Sequence, residues 1–238
     1  MVKVIDLEKQ FGKLQVLKGI HLTFETGQVT AVVGPNGSGK TTLIKSILGL
    51  VKPDRGHVLV KGVSLNGNWE YRKWIGYMPQ YAHFPENLRV QEILYMIKDL
   101  HNGEAKRFDE ELYEKFALEK ELRKPIRTLS GGTRQKVSAI LTFLFDPDIL
   151  ILDEPTAGLD PVSSSILKDK IIKEKQKGKT IILTSHIMSE VEEMADQIVF
   201  LLEGKIYFQG PVATLKQNIG ERNLERSIAR MMEQGASQ

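Results

Sequence analysis

The chain has 238 residues, enough to bury a full core in one large domain or in one domain with an inserted subdomain. Its 33 basic and 30 acidic residues leave a net charge of +3, too even a balance to point to nucleic acid or another acidic partner by itself. Disulfides, thiolate catalysis and cysteine-ligated metal are excluded because no cysteine occurs, and His21, His57, His83, His101 and His186 show no metal-ligand spacing. The opening MVKVIDLEKQFGKL lacks the apolar segment of a secretory signal, and no run of about 18 apolar residues occurs anywhere. The expected protein is soluble and cytoplasmic, and any membrane crossing in its work falls to another polypeptide.

In chain order, KVIDLEKQFGKLQVLKGIHLTFETGQ reads as short antiparallel strands with turn residues between them. QVTAVVG, Gln28 to Gly34, is a β-branched apolar run ending in glycine, and TTLIKSILGL after it sets Leu43, Ile47 and Leu50 at helical spacing. GHVLVKG, Gly56 to Gly62, reads as a further short antiparallel strand. From about Pro85 to Phe145 the pattern turns mainly helical, with VQEILYMIKDL, FDEELYEKFAL and GTRQKVSAILTFLF as amphipathic pieces. That stretch predicts a helical subdomain inserted into a sheet domain. DPDILILDEP and KTIILTSH are uninterrupted apolar runs of the kind found in strands covered on both faces. Between them PVSSSILKDKIIKEKQKG predicts a helix that closes on glycine after a lysine-rich turn. Strands alternating with helices give an α/β domain around a mostly parallel sheet. In the tail, Leu224, Ile228 and Met231 share one helical face beside a basic stripe of Arg222, Arg226 and Arg230. A helix packed on the domain with its charged face in solvent is the expectation; contact with lipid headgroups or a membrane partner is the alternative.

The chemistry begins at GPNGSGKTT, Gly34 to Thr42. Gly34, Gly39, Lys40 and Thr41 match G-x-x-x-x-G-K-[ST], with Pro35, Asn36, Gly37 and Ser38 between and Thr42 after. Backbone N–H groups of such a loop and of a helix N-terminus surround a phosphate, the lysine pairs with β- and γ-phosphate oxygens, and the Thr41 hydroxyl ligates Mg²⁺. The match falls between a predicted strand and a predicted helix, which an ordinary glycine turn would not require. ILILDEP supplies Asp153 at a strand end for the Mg²⁺ shell and Glu154 beside it to polarise an attacking water. Alone, the two carboxylates would read as caps for the next turn; beside the first loop they read as chemistry. His186, closing ILTSH, is a third strand-end polar group able to reach the γ-phosphate, although a lone histidine is as often structural.

LSGGTRQKV, Leu129 to Val137, is a second glycine-paired loop, about ninety residues beyond Lys40. It presents a serine hydroxyl and backbone amides at a helix N-terminus, another anion cradle. One γ-phosphate has no use for two cradles from one chain, whereas two chains set head to tail can each lend theirs to the other's nucleotide. On these motifs the chain resembles, over essentially its whole length, the nucleotide-binding subunit of an ATP-binding-cassette (ABC) transporter.

The resemblance implies a P-loop NTPase (RecA-like) core with a mostly parallel sheet, an antiparallel β subdomain and an inserted α-helical subdomain. Residues 1–238 then form one nucleotide-binding domain: an ATP-binding core at 1–84 and 146–210, a helical subdomain with the signature at 85–145, and a helical tail at 211–238. By the same resemblance Lys40 and Thr41 lie in Walker A and Asp153 and Glu154 in Walker B. Gln80 of YMPQ senses Mg²⁺ and the transmembrane partner, and Ser130, Gly131 and Gly132 form the signature. AGLD ends at the D-loop residue Asp160, and His186 is the switch histidine. Phe11 matches the aromatic that stacks on adenine, with Val16 near the base. Two departures stand out: Thr133 replaces the usual glutamine of the signature, and Phe11 replaces the usual tyrosine.

ATP and Mg²⁺ are the implied cofactors; a second copy of the chain and an integral membrane permease are the implied partners, with no nucleic acid. The cassette would sit peripherally on the inner face of the cell membrane through the permease. Its mechanism would sandwich two MgATP molecules between Walker A of one protomer and the signature of the other, with Glu154 orienting water and hydrolysis reopening the dimer.

Three uses of that energy are open. The first is an exporter or importer subunit that binds a permease helix through QYAHFPENLR, Gln80 to Arg89. The second is a soluble ABC machine of cofactor assembly or cell division, and the third a nucleic-acid or translation ATPase. The third fits poorly, because the short spacing from Lys40 to Ser130 leaves no room for the long coiled-coil insertion of DNA-repair relatives. EPTAGLDP and SHIMSEVEEMADQIVFLLEGKIYFQG are most similar to stand-alone cassettes of the multidrug and ABC-2-type exporter branch. LSGGTRQKV in particular resembles the cassette serving maturation of nitrous oxide reductase, a copper enzyme; drug, polysaccharide and gliding-motility exporters stay open beside it. The seven methionines, Met231 and Met232 included, read as core or helix-face residues rather than copper ligands.

Overall fold

The computed structural model describes residues 1–65, 67, 69–100, 108–219 and 223–235, so the readings made of His101, Arg222 and the Met232 side chain lie outside the described residues. The first half runs β1 (Val2–Phe11), β2 (Leu14–Phe24), β3 (Val29–Val33), α1 (Lys40–Ile47), β4 (Arg55–Val60), β5 (Val63–Ser64), β6 (Ile75–Met78) and α2 (Val90–Leu100). The second runs α3 (Glu111–Lys115), α4 (Gly131–Phe143), β7 (Ile149–Asp153), α5 (Pro161–Gln176), β8 (Thr180–Thr184), α6 (Met188–Met194), β9 (Gln197–Leu202), β10 (Lys205–Pro211), α7 (Val212–Ile219) and α8 (Leu224–Gly235).

Two sheets form. One is antiparallel in the order β2-β1-β4-β5; the other has the order β10-β9-β3-β8-β7-β6. In the larger sheet β9, β3, β8, β7 and β6 run parallel, and only β10 turns back against β9. All residues of β3, β7 and β8 are buried, as the uninterrupted apolar runs predict for strands covered on both faces. Successive side chains in a strand point to opposite faces, so one strand feeds two cores. Leu150, Leu152, Ile181, Leu183, Ile198 and Phe200 join the helices α4, α5 and α6 on one side. Ile149, Ile151, Ile182, Val199 and Leu201 join α1 and the antiparallel sheet on the other.

The structure departs from the sequence reading in three places. β1 and β2 are long, 10 and 11 residues, because register shifts along their pairing let them twist together without breaking. Within FDEELYEKFAL the α-helix covers only Glu111–Lys115, because Ala117 takes a left-handed backbone with φ 48°. β6, four residues of IGYM, is an edge strand that periodicity is too short to announce. In the tail, Leu224 and Ile228 are buried in the helical-side core and Met231 packs on it, while Arg226 is exposed.

Parallel register sets the position of everything that follows. Met78 pairs with Leu152, and Asp153 with Thr184, which also pairs with Val32. The chain therefore leaves β3, β6, β7 and β8 on one edge, carrying residues 34–39, Gln80, Glu154 and His186 to the same end of the sheet. Ligands of open α/β sheets bind at that carboxyl edge.

Candidate functional site

The loop after β3 closes onto the N-terminus of α1 through its glycines. A Cβ on Gly34 would run into the backbone oxygen of Leu201, and one on Gly39 would lie 2.9 Å from the Val16 oxygen. Gly39 is the residue before the helix, with φ 107°. Lys40 folds back so that its Nζ donates to the carbonyls of Gly34 at 2.7 Å and Pro35 at 3.0 Å. Burial pushes the Lys40 ammonium below the ordinary lysine pKa; Glu154 and Asp153 pull it back only partly. Ser38 donates its N–H to the Pro35 carbonyl at 3.2 Å, while its hydroxyl oxygen is buried without a protein partner.

Opposite the loop, Asp153 Oδ1 accepts from the Thr184 hydroxyl at 2.5 Å. The Glu154 N–H donates to both the carbonyl and the hydroxyl oxygen of Thr184, each at 3.1 Å. Glu154 itself holds a left-handed backbone, φ 50°, a conformation costing a non-glycine residue about 1–2 kcal/mol. Its carboxylate accepts from Gln80 Nε2 at 2.9 Å through one oxygen and lies 2.9 Å from His186 Nε2 through the other. A cleft of about 440 Å³ results, lined by Asn36, Gly37, Gly39, Lys40, Thr41, Thr42, Gln80, Asp153, Glu154 and His186, with Leu14 and Val16 along its apolar rim.

The hydroxyl of Thr41 on the first turn of α1 and the carboxylate of Asp153 are hard oxygen donors on one cleft, a donor set suited to Mg²⁺. Phe11 stands at the end of β1, paired with Leu14 across the hairpin; its ring is half exposed, with Lys9 Nζ 5.2 Å from the centroid. Paired strand residues share a face, so Phe11 and Leu14 lie side by side; Leu14 and Val16 line the cleft, and Phe11 is not among its lining residues.

Ser130, Gly131, Gly132 and Asp160 are held together elsewhere. Ser130 caps α4 by accepting from the Thr133 N–H at 3.2 Å, and it and Gly131 are exposed. A Cβ on Gly132 would come within 2.7 Å of the Gly158 oxygen, Gln135 Nε2 donates to the Pro155 carbonyl at 3.4 Å, and Lys136 Nζ pairs with Asp160 Oδ2 at 2.9 Å. Asp160 in turn caps α5, accepting from the Ser163 N–H and hydroxyl at 2.9 and 2.7 Å, which together with Lys136 holds its carboxyl well below the usual range. The second cradle is thus tethered to the segment after Glu154 yet lends no residue to the cleft lining.

Leu14, which lines the cleft, and Thr184, which bonds Asp153 and Glu154, escaped the sequence reading. Leu14 looks like any residue of a hairpin strand, whereas the polar end of an otherwise apolar TIILT could have flagged Thr184.

A glycine loop, a lysine and strand-end acids at the carboxyl edge of a parallel sheet define a P-loop nucleoside triphosphatase. The model of the ABC transporter family matches residues 17–157, and the chain belongs to that family as an ATP-hydrolysing, ATP-binding subunit. It is 33% identical over 227 residues to the lantibiotic transport ATP-binding protein SrtF of Streptococcus pyogenes, covering 94% of each chain. It is also 32% identical to the Nod factor export ATP-binding protein I of Burkholderia lata, over 90% of this chain and 72% of that one. A solved ATP-binding subunit of an ABC transporter superposes with a TM-score of 0.90 at 30% identity, covering 98% of this chain and 99% of the other.

Proposed function

We propose that the chain powers a separate membrane permease of the exporter type by hydrolysing ATP between two copies of itself. One observation carries this: the cleft gathers Lys40, Thr41, Gln80, Asp153, Glu154 and His186, while Ser130 is displayed on an exposed helix start outside it. In this reading Lys40 and the loop amides hold the β- and γ-phosphates, and the base lies against Phe11 and Val16. Mg²⁺ held by Thr41, Asp153 and Gln80 supplies neutralising charge at the phosphates. Glu154 orients the attacking water and His186 contacts the γ-phosphate. Ser130, Gly131 and Gly132 of the second chain close the site, and Asp160 reaches it alongside them. Catalysis is then positioning and electrostatic stabilisation in a site from which water is excluded on closure.

A groove of about 310 Å³ behind Gln80 suits the permease. β6 and α4 form its walls, Phe84, Ile97, Leu141 and Phe145 give it an apolar lining, and Ala82 and His83 sit at its edge. An amphipathic helix from the permease laid there would feel any movement of Gln80, which bonds Glu154. No described helix is long and apolar enough to cross a membrane; in this reading the spanning segments are the permease's. Names of the relatives, one of lantibiotic transport and one of Nod factor export, support the exporter branch. Within it, the local likeness of LSGGTRQKV supports service in copper-enzyme maturation.

The experiment is affinity capture of the Glu154→Gln chain with MgATP from gently solubilised membranes. A polytopic membrane protein in fixed ratio is the expected companion, and its identity names the pathway. Recovery of soluble partners alone would move the assignment to an ABC machine of cofactor assembly.

A further inference from the structure

Thr133 is the position where the signature departs from glutamine, and its hydroxyl oxygen lies 2.8 Å from that of Ser130. The Thr133 N–H also donates to Ser130 Oγ, at 3.2 Å. A serine hydroxyl has one proton to give and two lone pairs to fill. We infer that Thr133 donates its side-chain proton to Ser130, so that both lone pairs of Ser130 Oγ are occupied by Thr133 and its own proton is left to point outward. Thr133 is then a positioning residue: it turns the signature serine into a dedicated donor, the form an anionic phosphate oxygen recognises. Ser130 is exposed, so that proton is available to a nucleotide carried by a second chain.

The local geometry separates this role from helix capping. The cap uses the Thr133 backbone N–H, which any residue at this position keeps, whereas the orienting bond needs the hydroxyl. A valine there preserves shape and cap while opening one lone pair of Ser130, which lets the serine proton swing back into the loop. The inference rests on the two-chain site proposed above.

Steady-state ATP hydrolysis by the full-length Thr133→Val and Thr133→Ser chains provides the test. Thr133→Val should lose about fivefold in kcat, the size expected for one orienting hydrogen bond, with KM within about twofold. Its melting temperature should match the parent, and Thr133→Ser should recover the parental kcat. A Thr133→Val chain at the parental rate, or a Thr133→Ser chain as slow as Thr133→Val, overturns the role of the hydroxyl while leaving the two-chain site standing. If the Glu154→Gln chain with MgATP stays a single chain by light scattering, both fall together.

Discussion

Lys40 and Lys170 are both lysines withdrawn from water, and their surroundings have opposite effects. Lys170 on α5 has 1% of its side chain exposed, and its Nζ meets Asp109 at 2.5 Å and Glu111 and Glu174 at 2.9 Å each. Burial works against its charge, but those three carboxylates outweigh burial and raise its pKa above the ordinary value. At Lys40 the same burial wins, because Asp153 and Glu154 act from a distance and the nearest oxygens are neutral carbonyls. The comparison teaches which buried charge is structural and which is kept for a ligand. A fully compensated cation gains little from another anion, whereas an undercompensated one gains most from a triphosphate. The same logic disposes of the carboxylates of Asp109, Asp146 and Glu174, which come within 4.8 Å of one another as a metal site would: Lys170 and Lys179 already neutralise them.

Replacing each lysine should break the contrast in opposite ways. Lys40→Ala should lower hydrolysis at least about 100-fold, the loss typical of removing one preorganised donor to developing charge. Without nucleotide its melting temperature should equal or exceed the parent's, because a poorly compensated buried charge is gone. Lys170→Met should instead cost about 3–5 kcal/mol in urea unfolding, since it strands buried carboxylates.

The acid limb of stability sharpens the same point. Burial disfavours the charge on Glu174, but Lys177, Lys179 and Lys170 overcome it and bring the carboxyl down to about 2; Lys173, Lys170 and Lys115 likewise hold Glu111 below the ordinary glutamate value against the cost of burial. Carboxyls lowered in the folded state contribute stability that is complete above their unfolded pKa and is lost as pH falls through the folded one. Unfolding free energy should therefore drop between about pH 5 and pH 2, and in Lys170→Met that slope should be shallower.

Much of this was legible beforehand, for physical reasons that differ between residues. Gly34 and Gly39 are forced by close backbone approach, and the fully buried strands β3, β7 and β8 carry unbroken apolar runs, so both left marks in the sequence. Gln80 carries no local signal: it reaches Glu154 only through the pairing of β6 with β7, and only the likeness to a family singled it out. The polar end of TIILT marks Thr184 but not its partner Asp153, which only the long-range pairing of β8 with β7 supplies, while Leu14, facing Phe11 across a local hairpin, carries nothing that sets it apart from other strand residues. The clamp of Asp109 and Glu111 on Lys170 is equally invisible, because charges near a helix start read as solvated until the packing brings α5 beneath them.

The central claim is that the cleft is half a site and Ser130 on another chain is the other half. Light scattering of the Glu154→Gln chain at saturating MgATP measures this most directly. Two chains per particle with MgATP and one without it is the expected result; one chain per particle in both conditions would contradict the shared site.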